Sequence, residues 1–209
     1  MGQYLEIHKD NPQARLIDQV TSVLRQGGVM VYPTDSCYAL GCHIGDKAAM
    51  ERIIRIRQLT ERHNMTLICR DLSVISSFAK VGNADFRLLK SLTPGPYTFL
   101  LKATRDVPKR LQHPKRKTIG LRVPDNNIVR DLLKSLEEPI ISTSLILPGE
   151  ELPMNDPYDI QQRLMNEVDV IINGGQGDIA ETTVLDLTMG EPHVVREGLG
   201  DISRLIDLS

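Results

Sequence analysis

Apolar residues along this chain recur at two spacings, the 3.6-residue period of a half-buried helix and the short unbroken runs of buried strands. Leu16, Ile17, Val20, Val23 and Leu24 share one helical face. Asn11 followed by Pro12 reads as the cap and first position of that helix, and Gly27 with Gly28 as its end. A second helix follows Asp46, with Ala49, Met50, Ile53 and Ile54 as its apolar face. Further helical spacing covers 72–79, 84–92, 127–136 and 157–166, with a last half-turn at 202–206. Strand-like runs lie between: YLEIH, VMVY, YALGCHI, MTLIC, YTFLLKA, TIGLRVP, PIISTS, VDVIIN, TTVLDLT and HVVRE. TIGLRVP is the expected antiparallel partner of YTFLLKA. Strands and helices are interspersed and hairpins are frequent. This predicts a single α/β (α+β) domain over 1–209, a twisted mixed sheet, partly parallel and partly antiparallel, with flanking helices.

Composition narrows the class without naming a chemistry. Of 209 residues, 41% are hydrophobic and 25% charged, as in ordinary globular proteins. No apolar run reaches 18 residues, so no membrane span is expected, and the polar N-terminus does not read as a secretory signal. Cys37, Cys42 and Cys69 fit no zinc spacing, and the five histidines show no metal-ligand pattern. A reduced cytoplasmic protein with no metal site and buried, inert cysteines is the expectation. His63, in the polar segment ERHN, reads by default as a surface histidine.

Charge changes the picture more. From Glu150 to Ser209 there are 13 acids against three arginines, which leaves the rest of the chain at +8. Much of that excess falls in one stretch: Lys102, Arg105, Lys109, Arg110, Lys115, Arg116, Lys117 and Arg122, with Asp106 the only acid. Such a stretch fits a solvated connection or a phosphate or RNA contact with equal weight. No aromatic is interleaved, so RNA would be held by its backbone rather than by base stacking.

Three strands run into hydroxyls or charge. VMVY leads to Pro33-Thr34-Asp35-Ser36, PIIS to Thr143-Ser144, and HVVRE to Arg196. Each hydroxyl taken alone is better explained by a turn that it caps. If the strand tips share one edge, Thr34, Ser142 and Ser144 would donate hydrogen bonds there, and Arg122 and Arg196 would grip a carboxylate or phosphate. Arg52, Arg55 and Arg57 complement the end of their helix. GGQGD at 174–178 lacks a phosphate-loop ending and reads as a turn.

The succession PTDSCYALGC, TPGPYTFLLK, TIGLRVP, ISTS, TTVLDLT and VVREG resembles the YrdC/Sua family in order and spacing, from about Ile7 onward. RIRQLTERHNMTLICRDLS and STSLILPGEE are most similar to its YciO branch. The resemblance implies a YrdC/RibB-like fold with a positively charged concave face. It also implies a link to threonylcarbamoyladenosine modification of tRNA, in which synthases join L-threonine, bicarbonate and ATP, normally with Mg²⁺, into threonylcarbamoyl-adenylate. Members also bind double-stranded RNA or tRNA. Carried over position by position, Thr34, Arg122, Ser142 and Thr183 would contact substrate, and Arg57, Thr118, Ser144 and Arg196 the nucleotide. Lys102, Lys109, Arg110, Lys115, Arg116 and Lys117 would contact RNA. No catalytic residue is assigned.

Two positions depart from the synthases. Where they carry a KxR pair, this chain has Arg57-Gln58-Leu59, and where they carry SxN it has Ser144-Leu145-Ile146. Adenylation must stabilise charge on phosphates, and losing a cation and an amide weakens that. The sequence therefore reads first as an RNA- and nucleotide-binding YciO-type protein, with an active nucleotidyltransferase, a threonylcarbamoyl-AMP synthase, as the alternative.

Overall fold

The computed structural model describes residues 2–60 and 65–206, in which ten strands form one mixed sheet. In chain order the elements are β1 (Gln3–Glu6), α1 (Ala14–Arg25), β2 (Val29–Tyr32), β3 (Ala39–His43), α2 (Lys47–Arg57), β4 (Thr66–Ile68), α3 (Leu72–Phe78), α4 (Asn83–Leu92), β5 (Tyr97–Lys102), β6 (Thr118–Arg122), α5 (Asn127–Leu136), β7 (Ile140–Ser144), α6 (Pro157–Leu164), β8 (Val170–Asn173), β9 (Thr183–Asp186), β10 (His193–Arg196) and α7 (Ser203–Ile206). Across the sheet the strands run β1-β8-β2-β3-β7-β4-β6-β5-β9-β10. Neighbours β2–β3, β5–β6 and β9–β10 are antiparallel, whereas β4–β6 and β5–β9 are parallel. This is the α/β mixed sheet that the sequence predicts. Among the described residues no helix is long and apolar enough to cross a membrane.

Local chemistry sets the element ends. Asp46 accepts the N–H of Ala49 at 2.8 Å and starts α2. Gln58, in the left-handed region at φ 49°, stops it directly after Arg57. The expected cap at Asn11 is not formed: α1 begins at Ala14, and its N-cap, Gln13, makes no side-chain capping bond. The reason lies upstream. His8 Nδ1 accepts the N–H groups of Asp10 and Asn11 at 3.2 and 3.1 Å, which folds that segment into a turn of its own.

Two apolar clusters divide the strands by alternation. Met30, Tyr32, Ile68, Ile140, Val170 and Ile172 pack with Val20 and Leu24 of α1 and with Ile128 and Leu132 of α5. Their neighbours Val31, Leu67, Ile141 and Ile171, joined by Phe99, Leu121 and Leu185, pack with Ile53 of α2, Leu89 of α4 and Ile160 of α6. The sheet is thus covered on both faces, as a period of two requires. The α1–α5 layer, however, includes nothing from β5, β6, β9 or β10. That half of one face is left open.

Candidate functional site

Register carries the open face across six strands. Ile140 pairs with Ile68 and Ser142 with Thr66; Thr66 pairs in turn with Gly120, and Ile68 with Arg122. Gly120 faces Leu100, Thr98 faces Val184, and Val184 faces Arg196. Directly paired residues share a face, so the apolar wall under α5 passes into a floor of hydroxyls, glycine and arginine. Over this floor lies a cavity of about 360 Å³, lined by Arg57, Arg122, Ser142, Ser144, Glu181, Thr182 and Arg196 among others. Its size lies within the range of small-molecule sites. The predicted residues Arg57, Arg122, Ser142, Ser144 and Arg196 therefore do come together. They meet on a sheet face and not at a shared edge of strand tips, because it is the pairing register that aligns them.

The turn after β2 turns its hydrogen bonds inward. Thr34 Oγ1 accepts the N–H of Ser36 at 3.0 Å and donates to the carbonyl of Cys37 at 2.7 Å. It is buried, outside the cavity wall. Arg122 donates to Asp35 and, at 3.0 Å, to Ser36 Oγ. The second carboxylate oxygen of Asp35 accepts the N–H of Asp125 at 2.9 Å. The PTDSC turn is thus a socket for Nη2 of the Arg122 guanidinium, whose buried Nε has no hydrogen-bond partner.

On the opposite wall Ser144 donates to Glu181 Oε1 at 2.9 Å, and Arg196 Nη1 donates to Glu181 Oε2 at 2.6 Å. Arg196 Nε and Nη2 donate to the carbonyl of Thr182 at 3.2 and 3.0 Å. Ser142 shares a 2.6 Å hydrogen bond with the buried hydroxyl of Tyr32. Glu181 went unread in the sequence, where an acid in an acid-rich stretch carries no signal of its partners. Arg57, half-buried at the end of α2, has a buried Nε with no hydrogen-bond partner. Burial lowers its pKa, and the nearby Glu181 carboxylate works against that shift.

Two further predicted contacts lie away from the cavity. Thr183 is fully buried: its hydroxyl donates to Gly200 O at 2.7 Å and accepts the N–H of Gly198 at 2.9 Å. Its neighbour Thr182 lines the cavity instead and shares a 2.8 Å bond with Thr98. Thr118 lies two residues beyond Gly120 on the same face, paired with Lys102 and outside the cavity wall. Of the departing residues, Leu59 packs onto the apolar core and Ile146 is half-buried.

Lys102, Lys109, Arg110, Lys115, Arg116 and Lys117 are all exposed on the β5–β6 connection. Arg110 is tied to the carbonyl of Ile44 at 2.7 Å, and Arg116 stands 3.7 Å from Asp186. Arg122, counted with them in the sequence, is withdrawn into the cavity floor. By register Lys102 and Asp186 lie on the cavity face, so the connection borders the cavity. Beyond the carboxyl ends of β4 and β6, a separate crevice of about 240 Å³ is flanked by Arg70, Lys90 and Arg130.

The three cysteines are buried, and burial raises each thiol pKa, that of Cys42 to about 12, so they are protonated at neutral pH. His63 lies outside the described residues. Glu181 in the cavity wall and Asp35, outside the wall beside Arg122, are both engaged by arginines. Among the described residues no group of three or more His, Cys, Asp or Glu side chains could hold a metal ion.

The Sua5–YciO–YrdC family, described as telomere recombination, matches residues 22–198. The chain is 58% identical over 202 residues to the uncharacterized protein YciO of Escherichia coli, which covers 97% of this chain and 98% of that one. The crystal structure of E. coli YciO superposes with a TM-score of 0.95 at 57% identity, covering 98% and 100% of the two chains. The threonylcarbamoyl-AMP synthase of Chromobacterium violaceum is 36% identical over 141 residues, 67% of this chain and 72% of that one. Sua5 of P. abyssi, solved in complex with L-threonine, shares the fold with a TM-score of 0.91 at 22% identity, over 99% of this chain and 60% of that one.

Proposed function

The chain belongs to the Sua5–YciO–YrdC family, and we propose that it binds a nucleotide phosphate in the sheet-face cavity and tRNA or double-stranded RNA along the adjoining basic connection, in the service of tRNA threonylcarbamoylation. Arg57 carries this reading. Its guanidinium is half-buried in a polar cavity and has no ion-pair partner among the described residues. Burying part of a cation is costly when the nearby carboxylate, Glu181, is held by Arg196 and Ser144, and a ligand phosphate supplies a closer counter-charge. The hydroxyls of Ser142, Ser144 and Thr182 offer uncharged hydrogen bonds beside it. The exposed cations from Lys102 to Lys117 extend the positive surface past the cavity rim. RNA held there is held through its phosphates, so affinity falls steeply with salt.

A second reading is catalytic: threonylcarbamoyl-AMP synthesis from L-threonine, bicarbonate and ATP. The similarity to the C. violaceum enzyme of that name favours it. The geometry weighs against an efficient form of it, since Leu59 is spent on the core and Ile146 offers no amide.

One paired experiment tests both. Pyrophosphate release from ATP is followed with and without L-threonine and bicarbonate, beside a tRNA titration at several salt concentrations. Salt-sensitive tRNA binding with little threonine-dependent turnover supports the first reading, and threonine- and bicarbonate-dependent turnover the second. Absence of tRNA and nucleotide binding together overturns the first.

A further inference from the structure

Resting on the nucleotide reading above, we propose that Glu181 sets the charge the cavity accepts: it neutralises Arg196, leaves Arg57 without an ion pair among the described residues, and so selects a singly charged phosphate diester over a triphosphate.

The cavity holds three arginines, Arg57, Arg122 and Arg196, and each stands in a different state. Arg122 is matched by Asp35, buried with it. Arg196 is matched by Glu181, and all three of its guanidinium nitrogens are already donating, Nη1 to Glu181 and the other two to Thr182. Glu181 is equally committed, one oxygen accepting from Ser144 and the other from Arg196. A carboxylate held at both ends is a resident anion in the wall where phosphate would seek Arg196. Arg57 is left without an ion pair among the described residues, and three arginines against Asp35 and Glu181 leave room for about one negative charge.

Phosphates differ in this respect. A diester carries a single charge, a monoester at neutral pH about 1.5 to 2, and a triphosphate more. Extra charge on the ligand meets Glu181 across a partly desolvated gap, where like charges repel more strongly than in water. The hydroxyls of Ser142 and Thr182 cost a singly charged ligand nothing of the kind. Two sources offer such a singly charged, doubly substituted phosphate: an acyl-adenylate, a ribose ester on one side and an acyl anhydride on the other, and the diester backbone of RNA.

Calorimetric titrations at neutral pH without divalent cation would use three probes: the methyl ester of adenosine 5′-phosphate, the dinucleotide ApA, and ATP. The native protein is expected to bind one of the two diesters more tightly than ATP. Preference for the methyl ester points to an adenylate, and preference for ApA to RNA. Glu181→Gln keeps size and hydrogen bonding but removes the charge. It is expected to raise ATP affinity at least tenfold while diester affinity stays within about threefold. Ser144→Ala, which loosens one end of Glu181, is expected to move ATP affinity in the same direction, and Arg57→Gln to abolish diester binding. An unchanged ratio of ATP to diester affinity in Glu181→Gln, with binding intact, overturns the role of Glu181 alone. Tenfold tighter binding of ATP than of both diesters by the native protein overturns it too. If no probe binds native protein or variants, the inference falls together with the nucleotide reading.

Discussion

Arg122 and Asp35 form a charge pair sealed between β6 and the turn after β2, each side chain only 9% exposed. The same carboxylate also accepts the N–H of Asp125, so it fixes the exit of β6 as well as the arginine. Removing one member of such a pair leaves a buried charge without its partner, which costs more than the pair itself contributes. Asp35→Asn is therefore expected to lower unfolding free energy by about 3–5 kcal/mol in urea titrations. Replacing both residues with apolar side chains of similar volume should recover much of that loss. A change below about 1 kcal/mol in the single variant would show that the pair does not carry this cost.

Thr183 separates structural from ligand-contact roles. Its hydroxyl bridges Gly200 O and the N–H of Gly198 in a fully buried position. Thr183→Val leaves both groups unsatisfied, and about 1–3 kcal/mol of stability is expected to go. Nucleotide affinity of the folded fraction should be unchanged, measured by calorimetry below the melting transition. A tenfold loss of affinity with an unchanged melting temperature would return Thr183 to the ligand.

The basic connection makes a prediction in salt. Lys109, Lys115 and Lys117 are exposed and make no ion pair among the described residues. If each meets one RNA phosphate, replacing all three with Ala should flatten the slope of log affinity against log salt by about 2–3. A fluorescence titration of tRNA at 50–200 mM salt, on the order of the range where this effect is steep, checks it. An unchanged slope would place RNA elsewhere.

Asp71 caps α3 and gives the fold a handle on pH. Hydrogen bonds from Ser73, then its pairing with Arg70 and the N–H of Val74, outweigh desolvation and hold its carboxyl at about 2, below the ordinary 3.8. A depressed carboxyl stabilises the folded state when ionised. Its contribution is thus full above the ordinary value and is lost as pH falls from about 4 to about 2. The stability difference between native protein and Asp71→Asn should shrink across that window and be flat above it, as read by denaturant melts at successive pH values. A difference that is constant through the window would remove the charge from the account.

The sequence discloses the elements far better than their meeting places. YTFLLK and TIGLR pair as antiparallel neighbours, as the alternation of Phe99 and Leu101 with Thr98 and Leu100 suggests. Arg57, Arg122, Ser142, Ser144 and Arg196 share a cavity because β7 lies between β3 and β4, a crossover that local periodicity does not encode. Period-two alternation says that Ser142 and Ser144 face one way; it does not say that Thr66, Gly120 and Val184 face the same way four strands on. Thr34 illustrates the opposite failure. A hydroxyl at a strand end looks available, yet a turn two residues long satisfies it locally. Glu181 was invisible because its meaning comes only from Ser144, 37 positions away, and from Arg196 across a hairpin.

The most direct measurement is a crystal structure of the protein grown with the methyl ester of adenosine 5′-phosphate. The account predicts electron density for the nucleotide in the sheet-face cavity, with phosphate oxygens within hydrogen-bond distance of Arg57 and ribose or base beside Ser142 and Thr182. Nucleotide bound instead in the crevice between Arg70, Lys90 and Arg130, or a cavity that stays empty at saturating ligand, would contradict it.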